Sequence, residues 1–334
     1  MEKFKLNIGG RDLTVEVSDL AQQANGSVLV RYGDTVVLAT AVMSKEEKGD
    51  ADFFPLTVEY EERFYAAGKI LGSRFIRRES RPADEAILTA RAIDRAIRPR
   101  FPKNFRKEVQ VVVTCLSWDS ENDPDVIGLA AASLALSISD IPWLGPVAPL
   151  RIARTNDEFL LNPVYEKRKE SKMDLLLVSV ENFINMIELE AQEIDEKMVL
   201  DAYDFAKPHL EKIIDFQKEI AKKAGKEKAV QNESNSEPAL EKDIRDFLED
   251  KLEKALSEGS ESELKDDLIY FVESKYPGMA KAKYAKDFLE KEINRLLHEN
   301  ILRREKRPDG RKLDEIRQIQ ITAGILPRTH GSGL

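Results

Sequence analysis

The feature that most restricts the fold is a strongly apolar strand pair at residues 26–42, followed later in the chain by an apolar helix. The pair has the sequence GSVLVRYGDTVVLATAV, and its Tyr32-Gly33-Asp34 centre has the composition of a tight hairpin turn. Residues 124–138 (PDVIGLAAASLALSI) combine small and branched apolar side chains, which predicts a helix buried on all sides. Because a sheet buries a face against a second layer, these segments together predict an α/β domain.

Other segments before residue 225 extend this domain. Residues 3–17 alternate around Gly9-Gly10, which predicts a second hairpin. Residues 194–223 have apolar side chains at helical spacing and predict one or two helices. Further strands are predicted at the apolar, β-branched runs 54–60, 109–118, 147–154, 158–161 and 174–180.

The remainder of the chain has a different character. Residues 226–238 are polar and predict a linker, whereas residues 239–304 have Leu, Ile and Phe at helical steps. Residues 231–275 carry fourteen acidic and six basic side chains, a net charge of −8, so we interpret this part as a small bundle with a solvated acidic surface. The last residues, GSGL, echo the GSVL that opens the apolar strand pair. The chain therefore looks cut short soon after a repeat begins.

Composition restricts the compartment. The formal net charge is −9, and the single cysteine, Cys115, excludes an intramolecular disulfide and lies in an apolar strand, where a buried thiol is expected. The N-terminus lacks the apolar segment of a signal peptide. The apolar run at 126–138 is shorter than the roughly 20 residues of a membrane helix. A soluble, cytoplasmic protein without a membrane partner is expected.

Cations are concentrated in one stretch of this acidic chain. Residues 69–106 carry eleven Lys or Arg and four acidic side chains, a net charge of +7, which favours a local anion-binding surface. Within the stretch, Phe75 and Ile76 precede Arg77 and Arg78. Apolar or aromatic groups beside cations are typical of sites that hold single-stranded nucleic acid.

A helix is predicted to start after Pro82 and to end near Ile97, before the next proline. Arg91, Arg95 and Arg98 follow one another at four- and three-residue steps, opposite the apolar side of this helix. Guanidinium groups at this spacing suit a phosphate backbone. The alternative is a solvated helix face paired with acids of the same helix, but the neighbouring arginine motif favours binding of RNA or DNA.

Several longer segments resemble one known family. They are GSVLVRYGDTVVLATAV, FFPLTVEYEERFYAAGKI, GSRFIRRE, RPADEAILTARAIDRAIRPRFP and RPDGRKLDEIR with GILPRTHGS. In this order they resemble bacterial polynucleotide phosphorylase (polyribonucleotide nucleotidyltransferase) over nearly the whole chain. The resemblance implies an α/β (α+β) fold with a ribonuclease PH-like core (ribosomal protein S5 domain 2-like) and an all-helical domain. The implied bounds are 1–225 for the core, with halves 1–145 and 146–225, 226–238 for a linker, 239–305 for the helical domain and 306–334 for the truncated start of a second core.

The resemblance also implies an activity. The family is a 3′–5′ exoribonuclease of mRNA degradation, which uses inorganic phosphate to release nucleoside diphosphates from single-stranded RNA. It implies Mg²⁺ as cofactor, a homotrimeric ring and association with an RNA-degradation complex. The family's catalytic set lies in the second core, beyond Leu334, so we expect no complete catalytic or metal set in this chain. At the equivalent positions of the first core stand Arg168, Asp174 and Leu176. One carboxylate without a lysine predicts a structural Asp174 and a silent first core.

Residues for RNA handling are implied by the same resemblance. Phe75, Ile76, Arg77 and Arg78 match the loop that grips RNA at the ring's aperture, although the loop is one residue longer here and Ile76 replaces an aromatic. The residues implied to lie near substrate or phosphate are Arg91, Arg95, Arg98, Arg328, His330 and Ser332.

Three functional hypotheses follow. The chain is part of a phosphorolytic exoribonuclease, or a non-catalytic RNA-binding module, or a structural ring component whose arginines are neutralised by acids. In the last two cases it performs no chemistry by itself.

Overall fold

The computed structural model describes residues 2–17, 20–47, 53–70, 82–230, 237–276 and 279–334. The chain forms two compact units, Met1–Gln231 and Asn232–Leu334. The described part of the first unit contains two sheets and the helices that pack on them. The predicted α/β fold class is therefore confirmed.

A six-stranded sheet in the order β1-β2-β3-β4-β6-β5 forms the first half of this unit. Its strands are antiparallel to their neighbours, except that β5 and β6 are parallel. Gly9, Gly10 and Gly33, in the turns of the first two hairpins, adopt positive φ angles of 57°, 81° and 63°, which glycine tolerates without strain. The strands are β1 (Glu2–Ile8), β2 (Arg11–Val17), β3 (Gly26–Tyr32), β4 (Thr35–Glu47), β5 (Leu56–Glu62) and β6 (Lys107–Ser117).

A four-stranded antiparallel sheet in the order β10-β9-β7-β8 forms the second half. Its strands are β7 (Ala148–Thr155), β8 (Glu158–Leu161), β9 (Met173–Val180) and β10 (Phe183–Ala191). The α-helices of the unit are α1 (Asp84–Ile97), α2 (Pro124–Ile138), α3 (Tyr165–Glu170) and α4 (Glu196–Ala224). All strands and helices predicted in this region are confirmed, with α4 forming one continuous helix.

Helix α2 joins the two halves of the core. Apart from Asp125 all its residues are buried, and it packs against β3, β4 and β6, as well as β7 and α4. Asp123 caps its first turn by accepting a hydrogen bond from the Asp125 amide, and Pro124 occupies the first helical position. A β-carbon at Gly26 would lie 2.1 Å from the carbonyl oxygen of Ala135, so glycine lets β3 approach α2 closely.

Two elements were not predicted, α3 and β10. α3 is only six residues long and contains no buried residue, so it lacks an apolar period. β10 is an edge strand with a bulge between Ile184 and Met186, and most of its residues are exposed. A bulge shifts the two-residue alternation of a strand, and edge strands need little apolar surface.

The residues after α4 return to α2. Lys226 donates its backbone N–H to Ile138 O at 2.9 Å, and the Lys228 ammonium donates to Leu136 O at 2.7 Å and to Ser139 O at 2.6 Å. These donors satisfy carbonyls at the C-terminal end of α2. Burial lowers the pKa of Lys228 to about 8. The linker predicted at 226–238 thus starts with residues fastened to the first unit.

The second unit is helical where a helical domain was predicted. Leu240, Ile244, Leu268, Val272 and Phe288 belong to its own hydrophobic core. Its helices are α5 (Pro238–Leu248), α6 (Leu252–Glu258), α7 (Glu261–Lys275) and α8 (Met279–Arg304). Across the described ranges, no helix combines the length and the apolar character that crossing a membrane requires.

Residues 306–334 do not form the expected strands. All of them are described, and their single ladder contact is an isolated bridge between Ala323 and Gly333. Ile316, Ile319 and Ile321 are 75–82% exposed. A strand is stable only when a neighbouring strand and a buried face support it, and the segment has neither here.

Candidate functional site

Helix α1 carries the arginines that the sequence singled out. Its first turn holds Asp84 and Glu85, whose charge suits the helix N-terminus. Ala86, Ile93 and Ile97 are buried, so the predicted apolar side of α1 is confirmed. The arginines consequently occupy the opposite, exposed side.

The three arginines of α1 and its C-terminal end have different surroundings. Arg91 is exposed and has no ion pair among the described residues. Arg95 forms an ion pair with Glu188 of β10. Arg98 pairs with Asp94, with Nε at 2.9 Å from Oδ2, and also donates to backbone carbonyls at the start of β5. Arg91 is therefore the member of this set most available to an anionic ligand.

The loop residues Phe75, Ile76, Arg77 and Arg78 lie outside the described residues. Their implied role in gripping RNA stays a prediction.

The positions equivalent to the family's catalytic set contain a compact ion network. Asp174 Oδ1 accepts from Arg151 Nη1 at 2.7 Å, and Asp174 Oδ2 accepts from Arg168 Nε at 2.9 Å. Arg151 also pairs with Asp125, and Arg168 with Asp123, at the N-terminus of α2. The network thus links β7, β9, α3 and α2, and both guanidinium groups are satisfied by carboxylates.

The network contains three carboxylates and two guanidinium groups, so it has an excess negative charge when every carboxylate is ionised. Asp125 is the carboxylate that binds a proton most readily. Burial and the neighbouring Asp123 raise the pKa of Asp125 to about 7, against the effect of Arg151. Burial opposes ionisation of Asp123 as well, but Arg151 and other partners hold its pKa below the usual value. Burial alone would lower the pKa of Arg151, but the three neighbouring aspartates raise it above its usual value.

This arrangement fits a structural role for Asp174. A catalytic carboxylate must be free to take a metal ion or a proton, whereas Asp174 is held by two arginines. Among the described residues, no group of three or more His, Cys, Asp or Glu side chains is placed to hold a metal ion. The network residues therefore do not fit Mg²⁺, and they provide no step that uses it.

The C-terminal residues named by the sequence lie in a small hairpin. Ser332 Oγ accepts from the amide of Leu326 at 2.9 Å, and Ser332 O accepts from the amide of Gly324 at 2.8 Å. Arg328 and His330 are exposed at its tip. Ser332 thus stabilises the turn, and Arg328 and His330 are accessible.

A recess of about 930 Å³ lies beside α1 and β5, and the sequence gave no indication of it. Its wall includes Arg91 of α1, Glu62 of β5 and the ring of Trp118. The sequence did carry a signal for the ion network, because Arg151 interrupts the apolar strand β7 and Asp125 opens an apolar helix. A charged residue in a buried segment requires a partner.

Fold and site together define the class of protein. The sheet order, the central buried helix and the second, smaller sheet form a two-part α/β core. The crystal structure of rice (Oryza sativa) Rrp46 has the same fold, with a TM-score of 0.50 and 13% identity over 62% of this chain and 94% of Rrp46.

The two halves of the core correspond to two domains of one known family. Domain 1 of the 3′ exoribonuclease family matches residues 9–142, and domain 2 of this family matches residues 145–208. The chain belongs to the 3′ exoribonuclease family.

Curated relatives extend the match to the whole chain. The polyribonucleotide nucleotidyltransferase of Heliobacterium modesticaldum is 45% identical over all of this chain and 48% of its own length. That of Geobacillus kaustophilus is 43% identical over 99% of this chain and 46% of its own length. The chain therefore spans about half the length of the curated relatives it matches.

Proposed function

We propose that this chain is the RNA-holding part of a phosphorolytic 3′–5′ exoribonuclease, a polyribonucleotide nucleotidyltransferase. The proposal is carried by the placement of exposed arginines on α1 in a chain whose full length matches enzymes of that name. Single-stranded RNA is the proposed substrate, inorganic phosphate the co-substrate and nucleoside diphosphates the products. Mg²⁺, a homotrimeric ring and association with an RNA-degradation complex belong to the same proposal.

The chemistry explains why arginines matter. In phosphorolysis an oxygen of inorganic phosphate attacks the terminal phosphodiester of RNA, and the 3′ oxygen of the preceding nucleotide leaves. Both reactants are anions, so cationic groups must hold them together and stabilise the charge of the transition state. Arg91 is exposed and has no ion pair with any described residue, which suits this role, and Arg95 can join it by exchanging Glu188 for a phosphate.

The first core supplies no acid–base group in this proposal. Arg168 and Arg151 neutralise Asp174, and Leu176 of β9 is buried among apolar residues. We therefore propose that the 334-residue chain retains RNA without cleaving it. Phosphorolysis in addition needs the catalytic set that the family resemblance assigns to the second core.

The decisive experiment incubates the chain with 5′-labelled oligo(A), phosphate and Mg²⁺, and measures ADP release together with RNA retention on a filter. Retention without ADP is expected. Phosphate-dependent ADP release would contradict the silent first core, and loss of retention would contradict the RNA-holding role.

A matched pair of variants tests the arginine. Arg91→Ala should lower the slope of log affinity against log salt by about 1, because one phosphate contact is lost. Arg31→Ala is the control, since Arg31 is also exposed but pairs with Asp34 in the β3–β4 hairpin. If both variants changed the salt slope equally, Arg91 would not be part of the RNA-binding surface.

A purely structural ring component is the second candidate. The ion pairs of Arg95 with Glu188 and of Arg98 with Asp94 favour it, because they neutralise two of the three arginines. In this case Arg77→Ala/Arg78→Ala should leave both the RNA affinity and its salt dependence unchanged.

A further inference from the structure

The recess between β5 and α1 has the size of a small-molecule site and walls of two chemical kinds. Its volume of about 930 Å³ lies within the range of ligand pockets, which is roughly 300–1,000 Å³. Aromatic side chains line one part, and charged side chains of β5 and α1 line the other.

The aromatic part is formed by Tyr60, Trp118 and Tyr165. The rings of Trp118 and Tyr165 meet edge to face, with centroids 6.2 Å apart and an interplanar angle of 78°. Tyr60 Oη and Trp118 Nε1 are buried, and neither has a hydrogen-bond partner among the described residues. Tyr60 as a whole is only 3% exposed. Because both polar atoms are buried beneath the wall, the aromatic part offers a ligand apolar contact and not these two donors.

The charged part combines acidic and basic side chains. Glu62 and Glu85 line the recess without an ion pair among the described residues, and so do Lys69 and Arg91. Burial and then the nearby Glu85 raise the pKa of Glu62 above its usual value. The N-terminus of α1, at Ala83, faces the same recess and has no side-chain cap. The recess therefore offers carboxylate acceptors on one side and cationic donors on the other.

We propose that this recess binds one nucleotide unit, with an amino-bearing base against the aromatic part and Glu62, and with its phosphate near Arg91 and Lys69. A carboxylate accepts hydrogen bonds from the amino group of adenine, whereas uracil presents a carbonyl oxygen at the same place and is repelled. Planar aromatic side chains supply the apolar contact that a base requires.

This inference rests on the proposed function only for Arg91, which is given a phosphate in both. The nucleotide unit is either a free nucleoside diphosphate or a residue of an RNA chain. The two sources share the same chemistry, and competition between them separates the cases.

The test measures binding of ADP and UDP by equilibrium dialysis. We expect ADP to bind at least tenfold more tightly than UDP. Glu62→Ala should weaken ADP binding about tenfold and strengthen UDP binding, because the carboxylate that repels the uracil carbonyl is gone. Glu158→Ala is the control, because Glu158 is exposed on β8 and does not line the recess. Unchanged circular dichroism verifies that each variant is folded.

Competition by oligo(A) identifies the source. Displacement of ADP by oligo(A), weakened by Glu62→Ala, assigns the recess to a residue of RNA, and absence of displacement assigns it to free nucleotide. Equal affinities for ADP and UDP, or an affinity for ADP that Glu62→Ala does not change, would overturn the inference. RNA retention on filters is measured in parallel. RNA retention without ADP binding would contradict the nucleotide site in the recess and leave the proposed function standing. ADP binding without RNA retention would support the site in the recess and contradict the proposed function.

Discussion

At the scale of single residues, the most informative group is the ion network around Asp174. The sequence comparison predicted that one carboxylate without a lysine would be structural, and the contacts to Arg151 and Arg168 agree with this. The partners Asp123 and Asp125 were not predicted, because they lie far from Asp174 in the sequence and meet it only through the packing of α2 on β7. A charged residue in an apolar segment indicates that a partner exists, but a local pattern does not show which distant residue is that partner.

Asp174→Ala should destabilise the first unit by about 3–5 kcal/mol, because it leaves two largely buried guanidinium groups with fewer partners. Urea denaturation followed by tryptophan fluorescence measures the change. Glu170→Ala is the control, since Glu170 forms a half-exposed ion pair with Lys167 at 3.0 Å. Its effect should stay below about 1 kcal/mol. Equal effects of the two variants would show that the network contributes no more than a surface pair.

Asp125 should give a distinct pH dependence. Its pKa is about 7 in the folded chain and 3.8 when unperturbed, so the folded state binds the proton more tightly. The stabilisation is fully present below the unperturbed pKa and is lost as the pH rises towards about 7. Asp125→Asn removes this titration. The free energy of unfolding of the wild type, minus that of Asp125→Asn, should therefore fall between pH 4 and about pH 7 and then level off. A difference that rises over this interval would refute the assignment.

At the scale of elements, periodicity predicted the buried parts and missed the exposed ones. α2 was predicted with its observed bounds, because its composition is apolar throughout and Asp123-Pro124 marks its start. The apolar side of α1 was equally clear. β10 and α3 escaped prediction, since an edge strand with a bulge and a one-turn surface helix need little apolar surface.

Gly26→Ala tests the close contact between β3 and α2. The added methyl group would meet the Ala135 carbonyl oxygen at 2.1 Å, and a backbone atom in a buried helix cannot move away cheaply. We expect a loss of about 1–3 kcal/mol or more in the free energy of unfolding. Gly331→Ala is the control, because nothing lies within 4 Å of the position that its β-carbon would take. A mild effect at Gly26 would mean that β3 can shift relative to α2.

Loss of a cation on α1 should affect chemistry more than retention. In a protein that includes the second core, Arg91→Ala or Arg95→Ala is expected to lower phosphorolysis more than it lowers RNA binding, because the role proposed for these side chains is to hold phosphate. Parallel assays of ADP release and filter retention measure both. Equal losses would assign the two arginines to RNA binding alone.

At the scale of the whole molecule, the chain has two units with separate hydrophobic cores. The domain prediction rested on the change from mixed strand and helix patterns to purely helical ones along the sequence. The final segment, 306–334, was predicted to be the truncated start of a second core, and in the structure it is irregular apart from one isolated bridge. Its isoleucines at positions 316, 319 and 321 are compatible with a strand, but a strand also needs a neighbour to pair with.

The two tryptophans allow the units to be observed separately. Trp118 and Trp143 both lie in the first unit, so fluorescence follows that unit, whereas circular dichroism follows all helices. Leu268→Ala, at a fully buried position of the helical unit, should cost about 2–5 kcal/mol and shift the dichroism transition. The fluorescence transition should not move. Leu302→Ala, at an exposed position of α8, is the control. A joint shift would mean that the units unfold together.

The ion network also has an evolutionary consequence. Replacement of Arg168 by an acid would leave four carboxylates around the single guanidinium of Arg151. Each intermediate sequence on that path carries an unbalanced charge in a partly buried place, so several substitutions would have to occur together. Single substitutions within the network are therefore unfavourable. An acid at position 168 therefore requires compensating substitutions elsewhere in the network at the same time.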